Sequence, residues 1–196
     1  MRGAESLRSA FGLRTFLDRL IAVFGWRYVA TVAAEYGVNQ GAGLTFVNGA
    51  MRFYAFDELG VSAAEWGRML GFGQIPWMLK AIFGLISDTL PINGLHRAPY
   101  LIIAGGVGLG GCLLLAAFPR VGAGVAAGLF LLTQLNVALA DVIIDATVAE
   151  RCKAVPEQAA RLQSLSWGSL GLFAAVSSAA TGCAPSRAPA GPPASK

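Results

Sequence analysis

The chain has 196 residues, 55% of them hydrophobic and 13% charged, with a formal net charge of +4. Soluble domains average about 25% charged residues, so the polar surface that water demands is lacking. With a mean hydropathy of +0.59, the expected solvent is a lipid bilayer. The basic residues fall between apolar runs rather than clustering on one face. That pattern argues against a nucleic-acid binder and makes the charges topology signals.

Residues 1–28 read as a cytoplasmic N-terminal tail with some helical amphipathicity. Arg2, Arg8, Arg14, Arg19 and Arg27 are mixed with Glu5 and Asp18, whereas a transit peptide is poor in acidic residues. A transmembrane helical domain is expected over 29–183, because five runs approach the ~20 apolar residues that a spanning helix needs. The first, about 29–54, is the most polar, with Glu35, Asn39, Gln40, Asn48 and Arg52. The second runs over 66–87, the third over 99–118, the fourth over 121–145 and the fifth over 163–183. No strand-type alternation is sustained, which argues against a β-barrel.

The joints are short, so neighbouring helices in sequence are antiparallel. Ser62 and Glu65 stand at capping-box spacing before the second helix. Arg97, Arg151, Lys153 and Arg161 lie in the joints after the second and fourth spans. The joint after the first span carries Asp57 and Glu58 and no basic residue. The positive-inside rule therefore places the N-terminus in the cytoplasm or its organellar equivalent. Glycine pairs at four-residue spacing (Gly37 and Gly41, Gly67 and Gly71, Gly106 and Gly110, Gly124 and Gly128) would let helix backbones approach closely. The last residues, 184–196, are rich in proline and alanine and are expected to be disordered.

Ionisable residues inside a bilayer cost roughly 2.5–3.5 kcal/mol each on insertion scales, so each needs a reason. Lys80 follows Pro76 and Trp77 and either snorkels to the interface or turns inward to bind an anion. Gln134, Asp141 and Asp145 fall at i, i+7 and i+11, on one helical stripe. The two carboxylates, one turn apart, repel. Either one keeps its proton, as a coupling device would need, or both mark the helix end and pair with Arg151 or Lys153. The single histidine, His96, sits in a polar joint and forms no catalytic constellation, so no enzyme is expected. Cys112, Cys152 and Cys183 have neither metal nor redox spacing, and neither a metal nor a cofactor is expected.

IPWMLKAIFGLISDTLPINGLHRAPYLIIAGG at 75–106 resembles the signature of the folate–biopterin transporter family, a branch of the major facilitator superfamily. DVIIDATVAERCK at 141–153, LQSLSWGSLG at 162–171 and NQGAGLT at 39–45 resemble its other motifs, in order. The resemblance implies an all-α transmembrane fold, here about five helices corresponding to most of the N-terminal half of a facilitator. It implies a folate, pterin or related small metabolite as substrate, probable proton coupling, and alternating access between two halves. Gly84 and Asp88 match the superfamily's cytoplasmic motif, in which the aspartate stabilises the outward-facing state through a helix N-terminus and basic residues.

Taken together, the expected substrate-binding residues are Gln40, Arg52, Lys80 and Gln134. The expected gating or coupling residues are Gly84, Asp88, Arg97, Asp141 and Asp145. Three departures stand out: Ala81 where the family has proline, His96–Arg97 where it has paired arginines, and a chain that stops after five spans. The last makes a truncated half the leading expectation, with a C-terminal half or second chain required for transport. The competing expectation is a five-helix membrane subunit or scaffold that transports nothing. The membrane is either the plasma membrane or that of a plastid or other organelle.

Overall fold

In a computed structural model the chain is described over residues 2–118 and 120–182, with residues 2–11 as backbone alone. The expected disordered tail at 184–196 lies outside the described residues. Six helices follow one another: α1 (Arg2–Phe24), α2 (26–58), α3 (Ala63–Thr89), α4 (Ala98–Ala117), α5 (Ala123–Ala154) and α6 (Ala159–Gly182). The protein is an all-α integral membrane protein. By length and composition α3, α4 and α5 can each cross a membrane. The polar residues of α2 and the serines of α6 make those two helices less apolar. Among the described residues the one β-bridge joins Ile92 to Leu95.

Local chemistry sets the helix boundaries. Gly25, with φ 83°, breaks the path between α1 and α2, a conformation that costs glycine little. Ser62 caps α3: its hydroxyl accepts from the Glu65 backbone N–H at 3.3 Å, and Glu65 accepts from the Ser62 N–H at 2.8 Å. This is the capping box expected from the spacing. Within α3, Pro76 removes a backbone donor, and the helix is interrupted at Gln74 and Leu79 on either side of it. Between α3 and α4 the chain reverses at Asn93 and Gly94, both with positive φ, as a type I′ turn requires.

Packing then fixes which helices run together. Gly37 and Gly41 of α2 face Phe173, Ser169 and Leu170 of α6, and Gly49 faces Thr181. Rising numbers meet rising numbers, so α2 and α6 are parallel. The same logic makes α3 parallel to α5, since Gly73 meets Phe130 and Gly84 meets Val142. It makes α4 antiparallel to α5, with Gly108 on Asn136 and Gly111 on Leu129. Of the four glycine pairs singled out in the sequence, only Gly37/Gly41 meets a neighbouring helix. Gly67, Gly71, Gly106, Gly110, Gly124 and Gly128 have open space where a Cβ would stand. The close approaches on α3 and α4 fall instead at Gly73, Gly108 and Gly111.

Two apolar clusters hold the bundle. One joins Leu20, Phe24, Val29, Val32, Tyr36, Ile144 and Leu162. The other joins Met51, Ala55, Val61, Met69, Ala126 and Phe130. On α5 the first uses residue 144 and the second residues 126 and 130. The α5 segment between them carries Gln134 and Asp141, both buried.

Candidate functional site

The polar layer between the two clusters is built by three helices. From α5 come Gln134, Asn136, Asp141 and Asp145. From α2 come Glu35, Tyr36, Asn39, Gln40 and Asn48, the first four within a stretch, Glu35–Leu44, wound as a π-helix. The i→i+5 winding is rare in proteins and recurs at functional sites. From α3 come Trp77 and Lys80, three residues apart and so on one face, just after the Pro76 interruption.

Lys80 turns inward. Its ammonium forms an ion pair with the Asp141 carboxylate and lies 5.0 Å from the centroid of the Trp77 indole, a cation–π distance. Asp141 also accepts a hydrogen bond from the Gln40 amide. The Lys80 side chain keeps 29% of its surface exposed and that of Asp141 only 7%. The cation is therefore reachable from outside the bundle, and the carboxylate that holds it is not. One turn further along α5, Asp145 accepts a hydrogen bond from the Tyr36 hydroxyl.

The layer continues on both sides. Trp77 Nε1 donates to Gln134 Oε1 at 3.2 Å, and Gln134 Nε2 donates to Asn48 Oδ1 at 3.0 Å. Asn136 Nδ2 donates to Asn39 Oδ1 at 3.1 Å, and Asn39 Nδ2 donates to Glu35 Oε1 at 2.9 Å. Among the described residues no buried side-chain nitrogen or oxygen lacks a partner, as a dry interior requires. Gly108 allows α4 to lie on Asn136, because a Cβ there would stand 2.6 Å from the Asn136 Cβ.

A second ionic cluster lies where α3 ends and α4 begins. Arg97 donates from Nε to Asp88 at 2.9 Å and from both Nη atoms to Glu150 at 2.7 Å each. The fork is bidentate on Glu150, the strong geometry for a guanidinium. The Glu150 hydrogen bonds above all, and then Asp88, hold the Arg97 guanidinium even further above its already high ordinary pKa. His96 lines the same open hollow.

The sequence-predicted residues thus divide. Gln40, Lys80, Gln134 and Asp141 meet in one layer, and Asp145 flanks it. Asp88 and Arg97 pair at the other cluster, and Gly84 packs on Val142 nearby. Neither aspartate of α5 takes Arg151 or Lys153 as its partner. Arg151 stacks on Tyr28 at 4.1 Å and points to the Phe24 carbonyl. Arg52 is exposed, one turn beyond Asn48 and outside the layer. Tyr36, Asn48, Trp77, Asn136 and Glu150 were not singled out from sequence. The Tyr36/Gln40 and Trp77/Lys80 spacings were the available signal for two of them.

The sequence profile of the BT1 family matches residues 40–189, which hold both ionic clusters. The chain belongs to the BT1 family. Within it, a folate-biopterin transporter of Synechocystis sp. is 41% identical over 159 residues, 80% of this chain and 31% of that protein. A probable folate-biopterin transporter 2 of Arabidopsis thaliana is 31% identical over 166 residues, 84% of this chain and 33% of that protein. The chain thus spans about a third of the length of these family members. No solved structure matches it. Helix α1, with Glu35 and Tyr36, precedes the matched region.

Proposed function

We propose that these helices form part of a membrane carrier for folate- or pterin-type organic anions, with the Lys80 layer as its substrate contact. One observation carries the reading: a partly exposed ammonium is held by a buried carboxylate between two apolar cores. A substrate anion approaching Lys80 competes with Asp141 for the same charge. The amides of Gln40 and Gln134 can match the donor–acceptor edge of a pterin ring, and the Trp77 indole offers a flat apolar face. Arg52, one turn beyond the layer, is a second cation for an extended anion. The names of the family members support the substrate class.

Proton coupling fits the same chemistry. Asp141 takes the one ammonium and Asp145 only the Tyr36 hydroxyl, so the two carboxylates together carry excess negative charge. A proton taken up by Asp141 frees Lys80 to bind an anion, and its loss restores the ion pair. Asp88, Arg97 and Glu150, with Gly84 alongside, act as the cytoplasmic gate. Lys80 opens on a side that the six helices do not cover. A further body of helices, from the same protein or a second chain, is needed to enclose the substrate.

The test is uptake of labelled folate or biopterin into vesicles. One set carries this chain alone. Another carries a chimera in which residues 40–182 replace the matching part of the Synechocystis transporter. Uptake is expected from the chimera and not from the chain alone. In the chimera, Lys80→Gln should abolish uptake, Lys80→Arg should retain part of it, and a proton ionophore should lower it. Undiminished uptake by the Lys80→Gln chimera would remove Lys80 from the substrate site.

A further inference from the structure

Helix α1 is not used by the transport reading and precedes the matched family region, yet it is docked. Leu20 and Phe24 are buried among Ile144 and Leu162, with Phe16 packed against the same cluster. A helix continuing straight from α2 would leave Phe16 and Leu20 without neighbours. The break at Gly25 instead folds α1 across the bundle end where α5 finishes and α6 starts. That end gathers Arg27, Arg97, Arg151, Lys153 and Arg161, so the positive-inside rule makes it cytoplasmic.

The apolar arc of α1 is wider than its docked strip. Ile21 and Val23 flank that strip on either side and are exposed, Leu13 is exposed on the same stripe one turn before Phe16, and Trp26 just beyond the break is 63% exposed. Arg14, Thr15, Asp18 and Arg19 occupy the opposite arc. Residues 1–27 carry five arginines against two acidic residues. An amphipathic helix with arginines on its polar face and Ile and Val along its apolar margins lies in the plane of a membrane surface. Basic segments next to spanning helices are attracted by anionic headgroups. The chain's own spans hold α1 at that depth.

We infer that α1 is an interfacial helix: its apolar margins enter the cytoplasmic leaflet and its arginines engage anionic lipid headgroups. The partner is the charged lipid surface rather than a protein. Arg14 is engaged by Asp18 at 3.9 Å and Arg27 stacks on Trp26 at 5.6 Å. Arg19, on the polar arc, is exposed.

The test uses the full chain with Cys112, Cys152 and Cys183 replaced by serine. A single cysteine, Ile21→Cys or Asp18→Cys, carries an environment-sensitive fluorophore. The protein is reconstituted into vesicles of phosphatidylcholine alone, or with one third of the lipid as phosphatidylglycerol. Quenching by spin-labelled lipid is expected to be at least twofold stronger at position 21 in the anionic vesicles. It should be weak at position 18, and high salt should erase the difference by screening. Changing Arg14, Arg19 and Arg27 together to glutamine should also erase it. Val23→Cys repeats the measurement should Ile21→Cys disturb docking. Equal quenching at 21 and 23 in the two vesicle types, or a difference untouched by salt and by the triple variant, would overturn the assignment.

Discussion

The two ionic clusters of α3 and α5 use the same chemistry in opposite settings. Lys80 and Asp141 meet in a dry layer, one cation on one anion, with the Gln40 amide completing the carboxylate. Arg97 holds Asp88 and Glu150 at a wet edge, where those acids keep 47% and 57% of their side-chain surface exposed. At the edge water screens the two carboxylates, so the cluster is worth less than a buried pair, although the bidentate fork and the shared arginine raise it above an ordinary surface pair. In the layer the Asp141 carboxylate has left water and depends on Lys80 and Gln40 for solvation. The inner pair therefore matters more to stability than the outer one.

The largest expected effect comes from breaking the inner pair on one side. Lys80→Met leaves Asp141 charged, buried and unpaired, a loss of about 3–5 kcal/mol. Thermal unfolding in detergent or nanodiscs reads it as a large drop in melting temperature. Adding Asp141→Asn should recover most of that drop. A double variant as unstable as the single one would show that the layer does not rest on the ion pair.

Next comes the seating of the helix that carries Gln40. Gly41→Val adds a Cβ 2.6 Å from the Leu170 carbonyl oxygen. Overpacking of this kind costs about 1–3 kcal/mol and draws Gln40 away from Asp141. Gly67→Ala, which meets open space, should leave the melting temperature unchanged. Equal loss from both would mean that the close contact at Gly41 does not set the response.

The smallest effect belongs to the edge. Arg97→Ala should cost about 0.2–1 kcal/mol, less at high salt. The Lys80→Met loss should be insensitive to salt. Should Arg97→Ala prove as costly as Lys80→Met, the contrast between wet and dry clusters fails.

Much of this arrangement was legible in the sequence, for identifiable reasons. The apolar runs marked the long helices α3, α4 and α5, because bilayer thickness fixes the length a spanning helix needs. Gln134, Asp141 and Asp145 announced a polar stripe because helical spacing is periodic. Ser62 and Glu65 marked a helix start because capping is local. What stayed hidden depended on rotation about helix axes and on distant partners. Nothing in residues 35–44 signals π winding, which packing imposes. Asn48 and Trp77 gain meaning only opposite Gln134, and Glu150 only opposite Arg97. Four glycine pairs looked alike in sequence, and only tertiary contact separates Gly37 and Gly41 from the rest.

The distance along the chain between Lys80 and its partner has a consequence for synthesis. Asp141 follows Lys80 by 61 residues, which at ~5–20 residues per second is a delay of roughly 3–12 s. During that interval the second span sits in or beside the bilayer with an ammonium whose carboxylate has not yet been made. The Trp77 indole, three residues upstream and 5.0 Å away in the finished fold, leaves the ribosome before Lys80 does.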